Sequence, residues 1–338
     1  MEDQPLVTIV TPSFNQVKFL TATYKSVISQ SYANIEYFIM DGSSTDGSAE
    51  LIRGWAASEN SRITWWVSEK DSGQAEAINK GFARANGEIV AWLNSDDLYM
   101  KGAVEKAVKI FQTYPDVGMI FSNVFSIDAD GELINVMRYG EWGLNDLMAF
   151  NMIGQPGVFM RKEALVAAGY LSPAYHCLLD HQLWLRIAVM YKVRFVDDFF
   201  AAARFHAEAK NVAHAAEFSQ EAFRIIDWMK SQPELSGVFA ANCRKIMAGA
   251  YRFSARYLLD GGDNHGSFNH YLKSFWYHPH TALKEFSRIA YSFFSFFPIV
   301  KKMKANYLQQ RLNQLAQDKM DVMYKDLSDF NDGHKNAG

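Results

Sequence analysis

Apolar positions along this chain change their spacing several times, and each change marks an element. Leu6 to Thr11, Ile35 to Met40, Ile63 to Val67 and Ile89 to Leu93 are nearly continuous runs of β-branched and aromatic residues, the pattern of strands buried on both faces. Between them the apolar positions recur at helical spacing: up to about Gln30, from Ser48 to Ala57 and from Ala75 to Ala85. Strand, helix and strand at these distances make βαβ units, which predicts an α/β fold with a parallel sheet. Three of the runs lead into polar clusters: Pro12-Ser13-Phe14-Asn15, Asp41-Gly42-Ser43-Ser44-Thr45-Asp46-Gly47, and Asn94-Ser95-Asp96-Asp97. Ligands of parallel sheets sit beyond the carboxyl ends of the strands, so the three clusters should converge on one crevice.

Further along, Gly102 to Tyr114 predicts a helix and Val117 to Phe125 a strand. Asp128-Ala129-Asp130-Gly131 reads as a tight turn before Leu133 to Met137, because the other ligand positions of a calcium loop are missing. Leu183, Trp184, Leu185 and Ile187 predict a helix with Asp180 near its N-terminus, and Phe195 to Phe200 predicts another strand. From Ala215 the pattern turns helical, over Phe218 to Lys230, Val238 to Leu259, Asn269 to Trp276 and from Thr281 onward. The expected organisation is two halves of one α/β domain, 1–100 and 101–212, then a helical region, 213–326, and a polar tail, 327–338, expected to be disordered.

Composition narrows the classes. At 338 residues the chain exceeds what one core usually serves, in keeping with a main domain and an appendage. With 49% hydrophobic and 21% charged residues it is globular, and a net charge of −3 shows none of the basic excess of nucleic-acid-binding proteins. Cys177 and Cys243 lack metal or disulfide spacing, which points to a reducing compartment. The first residues lack the basic and apolar regions of a signal peptide, and the apolar tract Ile289 to Val300 is too short to span a bilayer, so a cytoplasmic location is expected. The stretch 281–304, aromatic and ending in Lys301-Lys302-Met303-Lys304, has two readings. It is a peripheral anchor at the inner face of the cell membrane, or a helical appendage packed on the catalytic domain or on a second subunit as a homodimer.

The candidate chemistry lies at Asn94 to Asp97. Two charges at the end of a buried strand must be solvated, paired or metal-bound, and such oxygen ligands suit Mg²⁺ or Mn²⁺ held together with phosphates. No G-x-G-x-x-G or P-loop follows the first strand, which excludes dinucleotide oxidoreductases and P-loop enzymes. Each cluster alone also reads as an ordinary connection, with Thr45 or Asp46 capping the next helix. Taken together, Thr11 to Asn15, Asp41 to Gly47, Asp71-Ser72-Gly73-Gln74 with Asn79, Gly87-Glu88 and Asn94 to Asp97 resemble a family 2 glycosyltransferase with the GT-A fold over residues 6 to 206.

That resemblance implies a Rossmann-like, mainly parallel sheet flanked by helices and an inverting transfer from a nucleotide-sugar, most often a UDP-sugar. It implies that Asp41 accepts a hydrogen bond from the base, with Pro12, Ser13, Phe14 and Asn15 walling the base and Asp71 and Gln74 completing the donor site. Asn94-Ser95-Asp96 stands at the D-x-D position with an amide in place of the first carboxylate. Asp96 and Asp97 are then the metal carboxylates, with either one as the direct ligand, and His206 matches a histidine that can complete the site. Asp180, by local sequence a helix cap, matches the family's catalytic base. Gln155 and His181 are expected on the acceptor side, where a glycan or lipid-linked saccharide would bind in surface polysaccharide synthesis. The alternative is a non-catalytic nucleotide-sugar or glycan-binding protein of the same fold.

Overall fold

Strand β1 (Val7–Ser13) is buried along its whole length between two parallel neighbours, β2 (Ile35–Asp41) and β4 (Ile89–Trp92), and β3 (Ile63–Ser68) adds outside β2. These contacts come from a computed structural model that describes residues 4–206 and 215–295. Helices α1 (Val17–Ile28), α2 (Ser48–Ala56) and α3 (Gln74–Arg84) supply the crossovers. The chain runs outward from β1 to β3 and then returns to the far side of β1 as β4. At that reversal the connections from β1 and β4 leave in opposite directions, which opens a crevice beyond their carboxyl ends.

The sheet continues through β5 (Leu98–Tyr99), β6 (Val117–Ile127), β7 (Leu133–Met137), β8 (Val158–Arg161) and β9 (Lys192–Arg204). Its order is β3-β2-β1-β4-β8-β6-β9-β5, with β7 on β6. The parallel sheet expected from the βαβ spacing is present in β3 to β4 and again between β6 and β9. Antiparallel ladders join β8 to β4 and β6, and β5 to β9. Helices α4 (Ala103–Thr113), α6 (Lys162–Ala168) and α7 (Leu179–Met190) belong to the same unit, which comprises 4–141 and 153–205. Val7, Ile9, Ile39, Ala91, Phe111 and Phe159 are among its fully buried core.

The second compact unit holds residues 142–152, His206 and the described C-terminal helices. Those helices are α8 (Ala215–Ser231), α9 (Pro233–Asp260), α10 (Asn264–Tyr277), α11 (Pro279–Leu283) and α12 (Phe286–Phe294). The short helix α5 (Leu144–Met148) joins them although it lies far upstream in the chain. The sequence pattern assigns 142–152 to the second half of the α/β domain, whereas in the structure it groups with the helices. What draws it to the helices is a close backbone contact: a Cβ built on Gly249 would lie 2.0 Å from the carbonyl oxygen of Ala149. Arg252, three residues on, donates to the carbonyl of Phe150 (3.0 Å) and to Asn151 Oδ1 (3.3 Å). The carboxylate of Glu285 is shared by Arg252, Arg256 and the Tyr271 hydroxyl, tying α9 and α10 to the start of α12.

Among the described residues no helix is long and apolar enough to cross a membrane. The expected tail at 327–338 and the part of 281–304 beyond Ser295 lie outside the described residues.

Candidate active site

The ends of β1 and β2 are knitted together by side chains. Asn15, in a left-handed conformation (φ 51°), accepts from the Thr45 amide through Oδ1 (2.9 Å), and its own amide donates to Ser44 Oγ (2.8 Å). Asp46 accepts from the Val17 amide (2.8 Å) and from Ser48, capping α1 from a neighbouring loop. Asp41 is 2% exposed, a costly place for a carboxylate unless its oxygens are satisfied. Here they are, by the Ser44 amide (3.0 Å), the Ser44 hydroxyl (2.5 Å) and the Ser68 hydroxyl (2.6 Å). Each carboxylate oxygen can accept again, so Asp41 keeps acceptor capacity for a ligand N–H.

Phe14, one residue past β1, stands 62% exposed. Gly42 lies between it and Asp71: a Cβ there would come within 2.8 Å of Asp71 Oδ2 and 3.2 Å of Phe14 Cδ2. The glycine therefore lets an aromatic ring and the Asp71 carboxylate share one small area. Asp71 also accepts from the Gly73 amide (2.9 Å), which shapes the start of α3.

The cluster after β4 is wired by amides. Gln74 Nε2 donates to Asn94 Oδ1 (2.8 Å), and Asn94 Nδ2 donates to Gln155 Oε1 and Asp97 Oδ2 (both 3.2 Å). Gln155 Nε2 closes the chain on the Trp92 carbonyl (2.8 Å). Gln155, expected on the acceptor side, is thus held at the end of β4 beside Asn94.

The two adjacent carboxylates have different fates. Asp97 is buried (5% exposed) and accepts the backbone N–H of Arg204 (2.9 Å), while Thr23 donates to its carbonyl (2.8 Å). Burial and the neighbouring Asp96 charge push the Asp97 carboxyl well above the usual range, against the opposing pull of the Arg204 amide and Asn94. Asp96 is only half-buried, and its carbonyl accepts from Arg204 Nε (3.0 Å). Ser95, between Asn94 and Asp96 in the chain, is buried.

Asp180 is the second residue of α7, in the turn where the helix dipole favours a carboxylate, and its Oδ1 accepts the His181 amide (2.6 Å). One turn later Trp184 stacks on Trp92, with ring centroids 5.2 Å apart, two residues before Asn94. The loop leading to Asp180 is pinned by Asn79, which exchanges two hydrogen bonds with the backbone of Leu171 (2.8 and 3.0 Å). Arg186 binds the carbonyls of Ala168 and Tyr170 from the same helix, and burial lowers its pKa to about 10. Sequence reasoning noted Asn79 but not this role, since its partner lies 92 residues away. His181, expected to face an acceptor, is fully buried and cannot. His206 belongs to the second unit.

Among the described residues no three His, Cys, Asp or Glu side chains group into a metal cage. One half-buried carboxylate at a strand end would fit a divalent ion whose other ligands came from elsewhere than these side chains.

A mixed sheet, parallel from β3 to β4, whose strand order reverses at β1 and β4 and whose strand ends carry Asp41, Phe14 and Asp96, is a GT-A fold. Residues 8–163 match the family profile described as glycosyl transferase family 2. An uncharacterised glycosyltransferase of Methanocaldococcus jannaschii is 23% identical over 208 residues, 60% of this chain and 71% of that protein. The O-antigen biosynthesis protein RfbC of Myxococcus xanthus is 27% identical over 186 residues, 55% of this chain but 14% of that protein. The mannosyltransferase PcManGT of Pyrobaculum calidifontis, solved with GDP-mannose and Mn²⁺, shares the fold with a TM-score of 0.58 at 18% identity, covering 94% of this chain and 89% of that one. Residues 8–163 thus form a glycosyl transferase family 2 domain, and the chain is a glycosyltransferase.

Proposed function

We propose that this enzyme moves a sugar from a nucleoside-diphosphate donor, with UDP as the nucleotide, to a glycan or lipid-linked saccharide during surface polysaccharide assembly at the inner face of the cell membrane. The observation that carries this reading is the Trp184–Trp92 stack, which anchors the helix bearing Asp180 to the strand that leads into Asn94 and Asp96. Phe14 offers its face to the base, and Asp41, already fixed by Ser44 and Ser68, accepts a base N–H. Gln74 and Asn94 hold the donor's ribose and diphosphate side in one orientation. A divalent ion held by Asp96 against the diphosphate would neutralise charge on the leaving group.

Asp180 removes the proton from an acceptor hydroxyl as that oxygen bonds to the anomeric carbon and the bond to the diphosphate breaks, so the carbon inverts. Replacing Asp180 by Asn should lower the transfer rate about 10²–10⁴-fold with donor affinity retained, the range of general-base contributions. Rates within a few-fold of wild type would remove Asp180 from this role.

A further inference from the structure

Large hydrophobic side chains left in solvent concentrate, among the described residues, on one part of the second unit. They are Leu272, Phe275 and Trp276 on α10, Leu283 on α11, and Phe286, Phe293 and Phe294 on α12. Trp276 is 82% exposed, more than any other of them. Leu272, Phe275 and Trp276 share a helix face at spacings of three and four residues. Phe268, one turn earlier, packs its ring on Phe293 at 5.4 Å, and the Tyr271 hydroxyl binds Glu285 (2.8 Å), so α12 lies along α10 and extends the same apolar face.

From α10 to α12 the described residues carry Lys273, Lys284 and Arg288 against a single acid, Glu285. Glu285 is turned inward, its side chain 10% exposed and bound by Arg252 and Arg256. Arg288 is paired with Asp260 (3.0 Å), whereas Lys273 and Lys284 stand exposed. Arg244 adds a guanidinium at the carbonyls of Trp276 and Tyr277, at the end of α10.

We infer that the α10–α12 face seats on an anionic lipid surface, with Trp276, Phe275 and Phe286 at the level of the head groups and Lys273 and Lys284 on the lipid phosphates. Aromatic rings beside basic residues match the two halves of that interface. A two-fold contact with a second copy would bring the same lysines onto like charge, which disfavours that occupant. The inference deepens the membrane-proximal part of the function proposed above and moves its centre upstream, from 281–304 to include α10.

Flotation of the full chain with phosphatidylcholine vesicles, with and without phosphatidylglycerol, tests it. Wild type should float only with the anionic vesicles and less so as salt is raised. Trp276→Ser with Phe286→Ser should cut binding about tenfold or more. Lys273→Gln and Lys284→Gln should each weaken it about fivefold, and these two carry the test should the double variant fail to fold. Val166→Ser, an exposed apolar position of the first unit, should float as wild type does. Donor hydrolysis without lipid should be unchanged in the Trp276/Phe286 variant. The inference is overturned by wild type that ignores anionic vesicles, by variants that float normally, or by a wild-type dimer that the Trp276/Phe286 substitutions dissociate. Failure of the donor reading would show separately, as an active Asp180→Asn enzyme with flotation intact.

Discussion

Asp96 and Asp97 are neighbours in sequence and unlike in surroundings. Asp97 points into the protein, where the Arg204 N–H and the Asn94 amide occupy its oxygens. Asp96 is half-buried at the mouth of the crevice. Asp96→Asn should therefore lower Mn²⁺-supported donor turnover about 10²-fold or more, in line with loss of a metal's charge stabilisation. Asp97→Asn should stay within about tenfold of wild type, because an amide oxygen can still accept the Arg204 N–H. The reverse order of losses in a steady-state assay would assign the ion to Asp97. The presence of the cluster was legible from an apolar run that ends in carboxylates. Which carboxylate faces outward was not, because the answer depends on Arg204, 107 residues on. The same holds for Gln155, whose amide partners at Trp92 and Asn94 no local pattern announces.

At the level of elements, strand and helix identities followed from spacing, and their ends followed from partners. β9 was expected from Phe195 to Phe200 and extends from Lys192 to Arg204, because β6 runs beside it over that length. Leu98–Tyr99 is too short to read as a strand and exists only through its pairing with Ala201 and Ala202. Gly249 is a harder case: a glycine inside a long helix normally weakens it by about 1 kcal/mol relative to alanine. Here the missing methyl is what lets α9 meet the Ala149 backbone, at a distance no Cβ could tolerate. Gly249→Ala should thus destabilise the second unit by about 1–3 kcal/mol or more, despite the better helix propensity, because backbone must move. A melting temperature equal to or above wild type would contradict that contact.

At the level of the whole molecule, stability against pH has an identifiable lever in Glu285. Burial raises its pKa, but Arg256, Arg252 and the Tyr271 hydroxyl outweigh burial and leave the carboxyl below its ordinary range. A lowered acid stabilises the folded form at every pH above its unfolded value, about 4.3, and that stabilisation fades as pH falls through the folded value. Glu285→Gln should cost on the order of 3 kcal/mol near neutrality, at the low end for a buried pair because Arg256 remains 39% exposed. Urea unfolding should show the gap to wild type closing below about pH 4. A gap constant across pH would mean the loss is one of packing alone. The hydrogen bond from Arg204 to Asp97 also has a consequence in time. It closes a span of 107 residues, and loops of that length are paid for in chain entropy before they return any contact. The corner around Asn94 to Asp97 is therefore completed late in folding, and a nascent chain that has not yet emerged past Arg204 carries Asp97 without the donor that seats it.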